Sequence, residues 1–203
     1  MDIISVFIFS YLSGSIPFGL ILTKFFVGKD VRNIGSGNIG ATNVLRTGNK
    51  SLAAFTLLFD VLKGFVPVFI TKNYYPELIQ LSCLFAFLGH IFPIWLKFNG
   101  GKGVATYLGI LFALSYALGL LFIFTWLVVS LIFKYSSVSS LFSSLTVFIV
   151  TLIKDTALKT FNKNLVLDYD LKFILFAFLI LIVFTHRKNI SNLKNKTEQK
   201  IKL

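Results

Sequence analysis

The sequence predicts an all-α integral membrane protein of about seven transmembrane helices, with its N-terminus outside and its C-terminus in the cytoplasm. Three observations carry that expectation. Of 203 residues, 56% are hydrophobic and only 14% charged, with 24 Phe and a mean hydropathy of +0.82; a soluble domain carries nearer a quarter charge. The apolar residues gather into runs close to the roughly 20 residues that cross a bilayer core. Lys and Arg lie between those runs and near the C-terminal end, with the asymmetry of positive-inside sorting. The same placement accounts for the net charge of +12 without nucleic acid. Cys83 is the only cysteine, so neither a disulfide nor a cysteine metal site is expected.

The first span covers residues 3–23. Pro17 lies inside it and kinks the helix by removing a backbone hydrogen bond. In a membrane this is tolerated where protein or water takes up the freed groups. The small residues of Ser13-Gly14-Ser15-Ile16-Pro17-Phe18-Gly19 suit close helix packing; the alternative is a kink that widens a substrate cavity. Ser13-Gly14-Ser15 also resembles a signal-peptide cleavage site. Asp2 is the only early charge, however, so the segment is expected to be retained.

The loop 24–50 carries Lys24, Lys29, Arg32, Arg46 and Lys50 against Asp30 alone, which assigns it to the cytoplasm. Span two, 52–71, contains Asp60 and Lys63. Three residues apart they share a helix face and form either a structural ion pair or part of a site. Span three, 77–96, ends in Gly89-His90-Ile91-Phe92-Pro93-Ile94-Trp95. His90 there suits a hydrogen-bonded interfacial group, or a site residue through its nearness to Gly100; Trp95 suits an interfacial belt.

Residues 104–133 hold no charge. As one helix they would be about 45 Å long, too long for a core of about 30 Å. Two helices, 104–115 and 118–133, with a turn near Leu114 to Gly119, remove the excess. Spans at 137–153 and 171–185 complete the set, joined by a polar connection at 154–170. With the turn, fourteen Lys and Arg fall on the side of loop 24–50, against Lys72, Lys154, Lys159, Lys163 and Lys172 opposite. Without it the basic tail would be sent to the wrong side. Residues 1–190 then form one helical domain, with 191–203 a basic polar tail drawn to solvent or lipid headgroups.

Three polar clusters share the cytoplasmic face in this topology. The first, Gly35 to Arg46, packs three glycines with Ser36, Asn38, Thr42, Asn43 and Arg46. Glycines bring backbone N–H groups close to a ligand, and successive N–H groups cradle anions. Its G-x-G-x-x-G spelling has dinucleotide meaning only in a strand–turn–helix, a context absent here. The second cluster, Gly100-Gly101-Lys102-Gly103-Val104-Ala105-Thr106, departs from a nucleotide loop because Gly103 follows the lysine where Ser or Thr would hold Mg²⁺. It opens a helix, whose start attracts anions; the alternative is a flexible turn with a snorkelling lysine. The third holds His186 and Asn189, one helical turn apart, suited to proton transfer and to donation to an oxyanion. So few acids argue against a carboxylate metal centre.

Taken together, Ser13 to Gly19, GSGNIGATNVLR, DVLKGFVP, GHIFPIWLKFNGGKGVAT and the closing His186-Arg-Lys-Asn-Ile resemble the acyl-phosphate-dependent glycerol-3-phosphate acyltransferases, the PlsY family of bacterial inner membranes. The resemblance runs over nearly the whole chain. It implies transfer of an acyl chain from acyl phosphate to the 1-hydroxyl of glycerol 3-phosphate, giving lysophosphatidic acid and phosphate. Its implied catalytic residues are Ser36, Arg46, Lys102, His186 and Asn189. Its implied substrate-binding residues are Gly37, Asn38, Gly40, Thr42, Asn43, Gly100, Gly101 and Gly103. No metal or cofactor is implied. One position departs, since Lys188 stands where the family usually has glutamate. The expected partners are the two substrates and membrane lipid, with a monomer able to associate with other phospholipid-synthesis enzymes.

The residue inventory agrees with this implication. Acyl phosphate is an activated anhydride, so the absence of a Ser-His-Asp arrangement is no obstacle, and neither His90 nor His186 heads an H-x-x-x-x-D motif. The competing reading is a transporter of a phosphorylated solute, which would gather similar features, although the halves show no inverted repeat.

Overall fold

The computed structural model describes residues 2–161 and 171–201, the side chains of 155–161 excepted. Every regular element among the described residues is helical. Most of the expected polar connection 154–170 lies outside them, as do residues 202–203. The chain divides into two compact units, Met1–Tyr116 and Ala117–Leu203.

The first unit begins with α1 (Asp2–Ser15) and α2 (Phe18–Val27), one apolar segment broken where the sequence places Pro17. Beyond the expected end of the span, Phe25, Phe26 and Val27 continue the helix. Gly28 stops it with φ of 66° and an N–H bonded to the Lys24 carbonyl at 3.2 Å, a left-handed cap that glycine adopts without strain. At the Pro17 break the Ile16 carbonyl accepts the Lys63 ammonium at 2.6 Å, and the Ser13 hydroxyl donates to the Lys63 carbonyl at 3.1 Å. Lys63 also pairs with Asp60 Oδ1 at 2.7 Å, both side chains buried; that oxygen has no other donor. One lysine therefore neutralises a buried carboxylate and gives the Ile16 carbonyl, which also accepts the Phe18 N–H at 3.1 Å, a second donor at the break.

Lys63 is carried by α4 (Lys50–Tyr74), which starts where the Asn49 side chain accepts the Leu52 N–H at 3.0 Å, a conventional N-cap. Next come α5 (Ile79–Ile91) and α6 (Val104–Leu114). Glycines set the spacing of the helix pairs. A Cβ on Gly14 would strike the Ala86 carbonyl, and one on Gly89 the Tyr11 carbonyl, so α1 and α5 touch backbone to backbone. Gly64 against the Thr106 carbonyl and Gly109 against the Val61 carbonyl do the same for α4 and α6. This is the small-residue packing by which membrane helices associate.

The uncharged stretch breaks at Ser115, inside the expected turn. Lys72 Nζ donates to the Ala113 and Leu114 carbonyls at 3.2 and 3.1 Å, which fixes the end of α6. At 11 residues, α6 rises about 16 Å, roughly half of a hydrocarbon core.

The second unit contains α7 (Tyr116–Phe133), α8 (Ser136–Phe161), α9 (Lys172–Thr185) and α10 (Arg187–Lys194). Helix α8 carries buried Ser137, Ser139, Ser140, Ser143 and Ser144. The last four hydroxyls return to carbonyls one turn back, so they add no polar surface to an apolar setting. Trp126 Nε1 donates to Ser140 Oγ at 3.2 Å and ties α7 to α8.

The protein is an all-helical integral membrane protein. Among the described residues five helical segments are long and apolar enough to cross a membrane: 2–27, 50–74, 76–96, 116–133 and 136–154. The pair α9 and α10, bent by 54°, makes a sixth if taken as one span.

Lys63→Met should destabilise the fold by about 3–5 kcal/mol, because it strands the buried Asp60 carboxylate and takes one of two donors from the Ile16 carbonyl. Adding Asp60→Leu should recover part of that loss. Thermal unfolding of the purified variants in detergent checks both; equal midpoints for the single and double variants would refute the ion-pair account.

Candidate active site

The loop after α2 is built around one amide. Asn43 lies on the short helix α3 (Ala41–Val44) and is 2% exposed. Its Nδ2 lies 2.9, 2.9 and 2.7 Å from the carbonyls of Val31, Ile34 and Asn38, so two hydrogens serve three acceptors. Its Oδ1 accepts the Ser36 N–H at 2.9 Å and touches Arg46 Nη1 at 3.4 Å. Asn38 Oδ1 accepts the Gly40 N–H at 3.2 Å. Gly35 and Gly37 take φ of 54° and 72°, the left-handed region that suits glycine. At Gly35 the need is also steric, since a Cβ would lie 2.6 Å from both Arg46 Cδ and Asn43 Oδ1.

The loop therefore has an inside and an outside. Beneath it Val31, Ile39 and Val44 pack with Leu20, Leu52 and Ala53 in an apolar floor. Ser36, Gly37, Thr42 and Arg46 are exposed. At its entry Asp30 accepts the Arg32 backbone N–H and is gripped by the guanidinium, the nearest approach being 2.6 Å. That hydrogen bond, assisted by Lys24 at 3.9 Å, outweighs desolvation and holds the Asp30 carboxyl down at about 2.

The second loop folds onto the end of α5. Gly100 and Gly101 donate their N–H groups to the Ile91 and His90 carbonyls at 3.0 and 3.1 Å. His90 lies beneath the loop, where a Cβ on Gly101 would strike its Nε2, while its Nδ1 is 3.0 Å from Thr106 Oγ1. His90 is thus a buried strut linking α5, the loop and α6; only its closeness in sequence to Gly100 hinted at that. Gly103, at φ of 83°, sits against the Phe87 ring and caps α6. The first intrahelical bond of α6 is Tyr107 N–H to the Gly103 carbonyl at 2.7 Å, so the amides of its first turn point out of the helix start, suited to an anion. Lys102 is half-buried between the two buried glycines. Trp95, expected in an interfacial belt, also donates its ring N–H to Ser15 Oγ at 2.8 Å beside the Pro17 break.

Both loops are held by α4. Ile39 in the first meets Gly19, which itself lies against Thr56, and Thr106 just after the second meets Gly64. Thr56 and Gly64 are about 12 Å apart along the helix. Leu96 packs on the apolar floor of the first loop, so the chain that leads into Gly100 touches the base of Ser36 to Arg46.

His186 and Asn189 belong to the second unit. His186 is 2% exposed and joins α9 to α10. Its Nδ1 lies 2.8 Å from the Ile182 carbonyl. A carbonyl only accepts, so Nδ1 carries the hydrogen and Nε2 is the basic nitrogen of the neutral ring. Asn189 lies on the first turn of α10, where Nδ2 donates to Glu198 at 2.6 Å. Nothing in the sequence singles out Glu198, nine residues away in a basic tail.

The chain matches the family model described as glycerol-3-phosphate acyltransferase over residues 4–196. It is 53% identical to a glycerol-3-phosphate acyltransferase of Pelagibacter ubique over the full length of both. With that of Brucella anthropi it shares 46% identity over 99% of this chain and 94% of the relative. Two crystal structures of PlsY, an integral membrane glycerol 3-phosphate acyltransferase, superpose on all of this chain and 96% of theirs. The glycerol 3-phosphate form gives a TM-score of 0.89 at 33% identity, and the lysophosphatidic acid form 0.86 at 31%.

Two outcomes follow from the first loop. Asn43→Ala leaves its carbonyls and the Ser36 amide without their partner, and amide hydrogen exchange over 31–46 should accelerate by at least about tenfold, one lost hydrogen bond being worth roughly 1–1.5 kcal/mol. Unchanged protection would refute the hub role. The Asp30 clamp contributes above its ordinary value of 3.8 and is lost as pH falls towards about 2. Being near the surface it is worth less than about 1 kcal/mol. The thermal midpoint difference between wild type and Asp30→Asn should be constant from pH 8 to 5 and vanish near pH 2.

Proposed function

The chain belongs to the glycerol-3-phosphate acyltransferase family, and from that membership we propose that it moves an acyl chain from acyl phosphate to the 1-hydroxyl of glycerol 3-phosphate. It is a membrane acyltransferase, and the products are lysophosphatidic acid and inorganic phosphate. Likeness to both the glycerol 3-phosphate and the lysophosphatidic acid forms of PlsY supports the two ends of the reaction.

The observation that carries this reading is the hydrogen-bond plan of the first loop. Asn43 holds the frame from inside, while Ser36, Thr42 and Arg46 stay exposed to meet an anion. Arg46 offers a planar fork for phosphate oxygens. Lys102 and the first-turn amides of α6 offer a second anion site. Asn38, Gly37, Gly40, Gly100, Gly101 and Gly103 shape the backbone that binds substrate. The 1-hydroxyl oxygen attacks the anhydride carbonyl carbon, the bond from that carbon to the phosphate oxygen breaks, and phosphate leaves with the electron pair. His186 Nε2 takes the hydroxyl proton, a role consistent with its tautomer, and Asn189 donates to developing oxyanion charge. No acyl-enzyme is needed, because the donor arrives already activated.

In this reading the chain crosses the bacterial inner membrane seven times and works as a monomer. Its N-terminus is outside, its C-terminus and glycine loops are cytoplasmic, and α6 counts as a short span.

Purified enzyme should form lysophosphatidic acid from acyl phosphate and none from acyl-CoA or acyl carrier protein of the same chain length; equal rates from all three would overturn the donor assignment. Arg46→Ala and Lys102→Ala should each lower kcat/KM by about 10- to 100-fold, the worth of one charged hydrogen bond. His186→Gln should lower kcat by about 100-fold or more. Near-normal constants in the first two variants would remove the phosphate sites.

A further inference from the structure

The strongest feature that the proposed chemistry leaves unused is a carboxylate in the C-terminal segment. Helix α10 ends in a tight reversal. Lys196 takes φ of 59°, its N–H meets the Leu193 carbonyl at 3.1 Å, and the Thr197 N–H meets the Asn192 carbonyl at 2.8 Å. This pair of bonds closes a helix end and turns the chain back along it. The reversal brings Glu198 alongside α10 and the start of α8. Its Oε1 accepts from Asn189 Nδ2 at 2.6 Å and from the Ser137 hydroxyl at 2.9 Å, and its Oε2 lies 3.4 Å from Asn192 Nδ2. Farther on, the Ile201 N–H donates to the Lys134 carbonyl at 2.8 Å, and the Lys200 ammonium lies 5.9 Å from the centre of the Tyr135 ring. A stretch whose composition suggests a solvated tail is therefore fastened at four points.

We propose that Glu198 is a positioning residue that fixes the side-chain amide of Asn189 for the acyl transfer. The inference rests on the reading of Asn189 as a site residue. A primary amide at the surface of a helix turns about its side-chain bonds, and its oxygen and nitrogen can exchange places. An anionic acceptor at 2.6 Å ends that freedom, because it accepts only from the nitrogen. Oδ1 and the second N–H of Asn189 are then held in one direction. Ser137, anchored on α8, holds the carboxylate in turn, so the orientation of Asn189 is set by α8 as well as by its own helix. The only Asp or Glu in 171–201 is thus directed at the one amide to which the chemistry assigns a role.

The test compares full-length enzymes supplied with acyl phosphate and glycerol 3-phosphate. Glu198→Ala should lower kcat on the order of 10- to 100-fold, as expected when a reacting group is misplaced rather than removed, with KM for glycerol 3-phosphate changed by less than about twofold. Glu198→Gln, whose carbonyl still accepts from Asn189, should recover most of kcat, and it guards against loss through misfolding. The double variant Asn189→Ala/Glu198→Ala should be no slower than Asn189→Ala alone, since the carboxylate acts through that amide. Normal turnover in Glu198→Ala with a slow Asn189→Ala overturns the proposal and leaves the site reading intact. So does a double variant whose losses multiply. Full activity in Asn189→Ala overturns the reading beneath it.

Discussion

A helix that stops in an apolar medium must pass its last carbonyls to another donor, and the first unit depends on how it meets that demand at Pro17. Water would do so at a surface. Here the Lys63 ammonium joins the Phe18 N–H on the Ile16 carbonyl, with Asp60 neutralising the charge. The break is thereby a fixed feature of the fold. It allows the helix to resume at Phe18 and deliver Gly19 against the Ile39 carbonyl, beneath the loop that presents Arg46. Lys72 solves the same problem at the end of α6. Without it the short helix would end on unsatisfied carbonyls, each costing several kcal/mol in hydrocarbon.

Glycine makes the complementary contribution. Where Lys63 and Lys72 satisfy backbone groups, Gly14, Gly19, Gly64, Gly89 and Gly109 admit another backbone to contact. Such contacts tolerate little movement, because interiors are packed at crystal density and small added volumes force strain. The two glycine loops accordingly rest on backbone-to-backbone joints, the first with α2 at Gly19 and the second with α5 at His90 and with α4 at Gly64. Arg46 stays exposed on this frame, its Nη1 resting 3.4 Å from the buried Asn43 amide beneath it.

Much of this is legible in the sequence, for reasons specific to each residue. Pro17 removes a helical N–H and marks the break, the three-residue spacing of Asp60 and Lys63 puts them on one face where they can pair, and the excess length of 104–133 demands a break, found at Ser115. The roles of other residues are set by partners far along the chain. Asn43 has the composition of a ligand-binding amide, yet all its polar groups serve the loop's own frame. Trp95 has the look of an interfacial belt residue, and only the fold reveals Ser15 as its acceptor. Lys196 occupies a left-handed position that composition would assign to glycine, so no turn signal marks the reversal that carries Glu198 back to Asn189.

The demand that shapes the Pro17 break also bears on His186 in the second unit. Helix α9 ends at His186, and the Ile182 carbonyl one turn back takes the ring Nδ1–H as well as the backbone N–H of the same residue at 3.0 Å. The helix end thus selects the tautomer. A histidine free in solution divides its hydrogen between two nitrogens, and a base must present the correct one. The Ile182 carbonyl, which also accepts the Thr185 hydroxyl at 3.0 Å, removes the choice by taking the Nδ1 hydrogen. The imidazole is thus oriented by a backbone carbonyl rather than by a carboxylate, in contrast to a Ser-His-Asp triad, which suits a chain so short of acidic residues.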